Sequence, residues 1–240
     1  MNVIYEPTGR AREYAPLAMN IYTGCAHGCK YCYAPSALRK ERGAFHNEIQ
    51  PRKGLIKNLI KDCLSHQGDQ REILLCFGCD PYTPGTTDMT RTVLQILAAF
   101  NMQVTILTKA GTRAMRDFDI LAENNWSFGT TLLFTNDEDQ VEWEPEAASI
   151  SDRVVAIDQA HRMGIRTWVS VEPTIDPYQA IGIMTWLKNT VDHWKVGKLN
   201  YNKPLEDTVD WAKYLKDVER VLKGHSYYIK HDLLEAAGRL

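Results

Sequence analysis

The spacing of apolar residues changes period repeatedly along the chain. Short runs rich in β-branched and aromatic residues occupy 17–22, 73–77, 104–107, 127–133, 167–171 and 194–196, with Ser226–Ile229 as a candidate seventh. After each of the first six, apolar positions return every three or four residues, the spacing that gathers them on one helix face. In 51–66 that face is Leu55, Ile56, Leu59, Ile60, Cys63 and Leu64. Further helices are predicted over 89–100, 112–124, 151–163, 177–188 and 205–223. Asp88 is placed as an N-cap, Gly164 as a left-handed helix end, and Asp176 precedes Pro177 at a first helical position.

Strand and helix alternation predicts a parallel sheet with helical crossovers. Six or seven such units without a glycine-rich dinucleotide fingerprint predict an α/β fold, a partial (β/α)6 TIM-type barrel forming one domain over 1–240. In such barrels function gathers where strands end. Polar residues stand just past every predicted strand: a cysteine loop, then Gly78 to Tyr82, Thr108-Lys109, Thr130-Thr131, Ser170 with Glu172, Lys198 with Asn200, and Lys230-His231.

Composition narrows the class. With 240 residues and 44% hydrophobic content the chain can bury a full core. No apolar run approaches the ~20 residues of a membrane span. Residues 1–12 are polar and charged, unlike a signal peptide. The six cysteines are therefore read in a reducing, cytoplasmic setting, where a cluster points to metal or catalysis before disulfides. The net charge of −2 implies no polyanion partner. Yet eight Lys/Arg lie between Lys30 and Lys61 against only Glu41 and Glu48. That stretch is either a phosphate-attracting face beside the cysteines or, as the simpler reading, a solvated helix surface.

The segment "TGCAHGCKYCYAP", residues 23–35, places Cys25, Cys29 and Cys32 at C-x3-C-x2-C spacing. Structural zinc wants four N/S ligands, usually from paired C-x2-C units. His27 is the only candidate within the loop, wedged between two cysteines, and the C-x2-C pair Cys76/Cys79 has Cys76 inside a predicted strand. A [4Fe-4S] cluster takes four thiolates as a rule. Three would leave one iron open to an outside chelator.

This spacing, with Tyr31 directly before the third cysteine, resembles the radical S-adenosylmethionine (SAM) enzymes. Together with "FGCDPYTP", "ILTKAG" and "EWEPEAASISDRV" it resembles their spore photoproduct lyase-like branch, from the first strand to about Glu172. The resemblance implies a radical SAM fold in which Cys25, Cys29 and Cys32 hold a [4Fe-4S] cluster and SAM chelates the fourth iron. It implies that Gly78 and Asp80 meet the SAM amino group, Lys109 its carboxylate, Thr130 and Thr131 its ribose, and Tyr33 its adenine. It implies reductive SAM cleavage, hydrogen abstraction by a 5′-deoxyadenosyl radical, and an electron donor of flavodoxin or ferredoxin type. Cys79 is then a candidate hydrogen-atom donor against a bland reading as a small buried residue, and Tyr82 a candidate relay or stacking residue against simple packing. Glu144 and Arg153 read as a structural ion pair, and Glu172, Lys198 and Asn200 as substrate-site candidates. The substrate suggested is nucleic acid or a nucleotide-derived molecule. Cys25 stands close to the start of the chain, whereas the lyase of known activity has a sizeable segment before its cysteine loop, so thymine-dimer repair is one option and not the default. The rivals are radical modification of a peptide or small metabolite, and a non-catalytic zinc- or nucleic-acid-binding module.

Overall fold

The computed structural model describes residues 2–85 and 88–240; Met1, at the head of the polar stretch read above, lies outside the described residues. The chain runs β1 (Ile4–Tyr5), β2 (Leu17–Met19), α1 (Ala34–Ala37), α2 (Arg42–Asn47), α3 (Leu55–Ser65), β3 (Glu72–Leu75), α4 (Met89–Ala99) and β4 (Gln103–Thr108). A 3-10 turn (Gly111–Asp117) leads into α5 (Phe118–Glu123), then β5 (Ser127–Thr131), α6 (Asp137–Trp143), α7 (Ile150–Arg162), β6 (Arg166–Thr174) and α8 (Pro177–Leu187). The remainder is β7 (His193–Lys198), α9 (Lys203–Glu206), α10 (Trp211–Val221), β8 (Ser226–Ile229) and α11 (His231–Ala236).

All eight strands form one sheet in chain order. Pairing is parallel from β2 to β8, and β1 adds antiparallel to β2. The sheet is open, with β1 and β8 as its edges. A partial barrel is thus what forms, with the candidate seventh strand included. β1 was not anticipated, because two residues carry no readable period.

Boundaries moved for local reasons. The first strand stops at Met19, since Ile21 and Tyr22 turn to receive the returning chain: Tyr22 bridges Pro51, and Arg52 N donates to Ile21 O at 2.9 Å. The helix predicted over 205–223 splits, because Asp210 accepts from Lys213 N at 2.9 Å and starts α10. Asp88 does not cap α4; its carboxylate takes Arg116 at 2.5 Å. Asp176 does cap α8, accepting from Tyr178 N at 2.7 Å, and Gly164 ends α7 with φ +73°.

The main core lies between the sheet and its helices, where Leu59, Leu94, Phe118, Ala156, Ile183 and Val218 are buried. A second, small cluster of Ala15, Ala18, Leu74 and Trp168 sits apart from it. Trp168 lies flat against Gly129 of β5, where an added Cβ would come within 2.3 Å of the indole. Among the described residues no helix is long and apolar enough to cross a membrane.

Candidate active site

A cavity of about 500 Å³ is lined by the cysteine loop, by the ends of β3 to β7 and by residue Lys230 after β8. Cys25, Cys29 and Cys32 form part of its wall, with Tyr31 and Tyr33 of the same loop. The loop is held from outside by α2. Arg42 donates to the carbonyls of Lys30 and Cys32, each at 3.2 Å, and to that of Cys29. His46 Nδ1 lies 2.7 Å from Cys25 O. Gly24 is obligatory here, because a Cβ would stand 2.1 Å from Phe45 O.

Burial pushes all three thiols up, Cys29 to about 12 despite the nearby Lys109. Thiols so placed release their protons only when a cation takes up the charge. Among the described residues no group of three or more His, Cys, Asp or Glu side chains converges on a single-ion site. A thiol set around a roomy cavity suits a multi-iron cluster better than one zinc. His27 turns to Asp80. It is buried, its Nδ1 is 3.5 Å from Asp80 Oδ2, and burial holds its pKa down at about 4.

Of the other expected residues, Tyr33, Gly78, Cys79, Asp80, Lys109 and Thr131 line the same cavity. Asp80 is heavily used by the protein itself. Its Oδ1 accepts from Thr108 Oγ1 at 2.7 Å and Tyr82 N at 2.8 Å, and its Oδ2 from Lys109 N at 2.9 Å. It ties the end of β3 to the end of β4 and brings a buried negative charge to the wall. Cys79 Sγ is 3.8 Å from Asn20 Oδ1, which also accepts from Gly78 N at 2.6 Å. Lys109 Nζ stands 5.6 Å from the centre of the Tyr31 ring.

Two of the expected residues do not line this cavity. Thr130 points away from the cavity and donates to Thr108 O at 2.7 Å, because alternate residues of β5 face opposite sides. Tyr82 is buried in a separate small hollow with Arg91, Arg113 and Asp117, so it does not reach the thiols' cavity.

The predicted pair Glu144–Arg153 forms at 2.6 Å with both side chains fully enclosed. Glu144 also accepts from the Tyr31 hydroxyl, while Arg153 donates to Thr131 O at 2.9 Å and Ala148 O at 2.8 Å. Burial alone would raise the Glu144 pKa, but Arg153 and Lys109 outweigh it and hold the carboxyl below its ordinary range.

The far end of the cavity carries Glu172, Lys198, Asn200 and Lys230, as the strand-end reading expected. His231 does not join them; its backbone N–H binds Glu13 at 2.8 Å. The sequence reading missed Arg10 and Tyr14, which also line this end. The Tyr14 hydroxyl donates to Glu172, and Lys230 Nζ lies 3.6 Å from that carboxylate and 4.1 Å from the Tyr14 ring centre. Tyr14 follows no strand, so no positional signal marked it. Asn20, directly after β2, carried such a signal and was overlooked.

Fold and cavity together set three convergent thiols at the mouth of a partial β/α barrel. The model of the Radical SAM superfamily matches residues 19–180, and the chain belongs to that superfamily. Members of it are SAM-dependent iron–sulfur enzymes, and the fold is of the spore photoproduct lyase type. Uncharacterized protein MJ0683 of Methanocaldococcus jannaschii is 25% identical over 166 residues, covering 67% of this chain and 61% of that protein. The radical SAM Nalpha-GlyT isomerase of Pseudomonas phage M6 is 26% identical over 155 residues, 63% of this chain and 31% of that protein. The chain therefore spans less than two thirds of either relative's length. Among solved structures, spore photoproduct lyase complexed with dinucleoside spore photoproduct superposes with TM-score 0.69 at 14% identity, over 94% of this chain and 79% of that one. SuiB of Streptococcus suis bound to S-adenosylmethionine gives TM-score 0.68 at 13% identity, over 93% and 52%. At these identities the likeness is one of fold.

Proposed function

We propose that this enzyme cleaves SAM reductively at a [4Fe-4S] cluster held by Cys25, Cys29 and Cys32, and abstracts hydrogen from a nucleotide-derived substrate. The observation that carries the reading is the single cavity joining the three thiols to Lys109, Thr131 and Gly78, and then to the charged and aromatic set at its far end. The cluster and SAM, when bound, supply a one-electron bond cleavage that ends in hydrogen abstraction from carbon.

The protein's own groups bind, orient and exclude water. The Lys109 ammonium is the cation available for the SAM carboxylate. Burial would lower its pKa, but the acidic groups around it outweigh burial and hold it above the ordinary lysine value. Thr131, Gly78 and Tyr33 line the same cavity, which supports contacts with the remainder of the molecule. Asp80 would offer its carboxylate to the ammonium of SAM while its oxygens hold the wall together. Cys79, in the same wall, is the candidate donor of a hydrogen atom to a substrate radical.

Two kinds of support favour a nucleotide. Tyr14, Tyr33 and Phe77 line the same cavity as Lys198 and Lys230, a combination that suits a base and its phosphate. Spore photoproduct lyase is solved with a dinucleoside bound. A peptide remains the competing substrate, since SuiB is solved with its precursor peptide SuiA.

The test is anaerobic reconstitution, reduction with dithionite in the presence of SAM, and assay for 5′-deoxyadenosine. Formation of that product, stimulated by dinucleotides and not by peptides, is expected. Cluster-loaded protein that forms none overturns the reading, and stimulation by peptides alone overturns its substrate half.

A further inference from the structure

We propose that Cys76 and Cys79 are a redox pair in the cavity wall, which closes to an intramolecular disulfide by exchange with a small disulfide molecule. The pairing stands on these two residues alone. Its consequence for turnover rests on the hydrogen-donor reading of Cys79 above.

Cys76 and Cys79 are three residues apart, and on an extended strand such residues face opposite sides. Here both line the same cavity. The chain achieves this by leaving the strand direction at Cys76, which holds φ +66°. Glycine adopts that conformation freely, whereas a residue with a side chain is strained in it. A residue that only filled space would be better served by glycine there, so packing does not account for the thiol. The turn is pinned along its length. Cys76 N donates to Met19 O at 2.8 Å, Gly78 N to Asn20 Oδ1 at 2.6 Å, and Asp80 accepts from Thr108 Oγ1 at 2.7 Å. The two thiols meet as a result: after burial, the hydrogen bond with Cys79 is the strongest influence pushing the Cys76 pKa up.

The C-x2-C spacing also suits half of a zinc site, which needs four ligands. Among the described residues no group of three or more His, Cys, Asp or Glu side chains gathers to complete one.

The pair is asymmetric. Cys76 is 4% exposed, whereas Cys79 is half-buried with its Sγ 3.8 Å from Asn20 Oδ1. That difference assigns the steps. The Cys79 thiolate attacks the entering disulfide and expels one thiolate, leaving a mixed disulfide. Cys76 then attacks the Cys79 sulfur, closes the S–S bond and expels the second thiolate. The two cysteine protons end on the two released thiols. The pair loses two electrons and the small molecule gains them. Once closed, Cys79 has no S–H to give to a substrate radical, so an oxidised thiol pool stops turnover at the return of hydrogen.

In the experiment, cluster-reconstituted protein is equilibrated anaerobically with mixtures of reduced and oxidised glutathione. A parallel series uses cystamine, a smaller disulfide, so that cavity size does not decide the outcome. Free thiols are trapped with iodoacetamide and the protein is digested with trypsin. Residues 72–91 come off as one peptide that holds Cys76, Cys79 and no other cysteine. As the mixture becomes oxidising, this peptide should lose both alkyl groups and weigh two hydrogen atoms less than its dithiol form. Dithiothreitol should restore it. Cys76→Ser should stop at the mixed disulfide, with glutathione retained on Cys79, and the wild-type measurement does not depend on that variant folding. Two alkylated thiols at every ratio and with cystamine overturn the proposal, and so does a mixed disulfide that persists on Cys79 in the wild type. In the closed form, product should be lost while 5′-deoxyadenosine still forms; product at the level of the reduced protein overturns the link to turnover. If neither form yields 5′-deoxyadenosine, the catalytic reading fails and the peptide mass still decides the pair.

Discussion

Cys79 bears most directly on the chemistry, because it and Cys76 add two thiols to a wall that already carries the three of the loop. It lies outside the cysteine loop, on the segment that follows β3, and its Sγ is within 3.8 Å of Asn20 Oδ1. Cys76 sits beside it but is buried and holds φ +66°, an uncommon conformation for a side-chain-bearing residue. Substituting Cys79→Ala should leave cluster absorbance intact, since no loop contact is lost. If Cys79 donates hydrogen, the variant should release more 5′-deoxyadenosine per product formed. An unchanged ratio by chromatography would reduce the residue to packing. At this scale the convergence of the three loop cysteines and Lys109 on one cavity was legible because spacing and strand-end position carry information. Thr130 does not line the cavity because a single step along a strand turns a side chain to the other face, and Tyr82 does not because it lies in the turn after β3, where no strand period sets its direction. Sequence position marks a strand end more sharply than it marks which neighbour faces inward.

Between elements, the segment joining α6 to α7 acts as a cross-brace. Trp143 O accepts from Lys30 N at 2.8 Å, Glu146 N donates to His27 O at 3.2 Å, and Ala148 N donates to Lys109 O at 2.9 Å. Glu144 and Arg153 add the ion pair that links this segment to Tyr31 and to the end of β5. Substituting Glu144→Gln leaves the Arg153 charge buried without its counter-ion. A loss of about 3–5 kcal/mol is expected, measured by urea unfolding. A loss within experimental error would mean that Arg153 is satisfied by carbonyls alone. A second element-scale effect joins β7 to β8, where His193 Nδ1 lies 2.8 Å from Ser226 Oγ. Burial, then Lys195 and Arg166, hold the His193 pKa down at about 4. Between its ordinary value near 6.5 and about 4, the unfolded chain binds a proton that the folded chain refuses, so stability falls as pH falls through that window. His193→Gln should make the fall shallower. It should not abolish it, because His27 is depressed in the same direction. An unaltered slope in pH-dependent melting would count against the assignment. The strand–helix alternation behind these contacts was readable from periodicity. The brace was not, since its hydrogen bonds are made by backbone groups that leave no mark on composition.

Across the whole molecule the decisive feature is how an open barrel closes its gap. β2 and β8 do not pair, and the chain before β2 crosses between the two edges. Glu13 accepts from His231 N at 2.8 Å and Tyr228 Oη at 3.1 Å, and lies 3.7 Å from Lys230 Nζ. Lys230 in turn donates to Arg10 O at 3.0 Å, and Lys195 donates to Tyr14 O. The same crossing delivers Arg10 and Tyr14 to the far end of the cavity, so closure and substrate site are built by one segment. Residues 1–12 read as merely polar in sequence because their partners come from the opposite end of the chain. Removing the carboxylate with Glu13→Ala should therefore loosen both edges together. Hydrogen exchange is expected to quicken in residues 8–14 and 226–231, while β4 to β6, paired on both sides, keep their protection. Quickening confined to residues 8–14 would mean that β8 and α11 hold without the crossing. Quickening of β4 to β6 would mean that the crossing stabilises the whole sheet, and the idea of a separable closure would then fail.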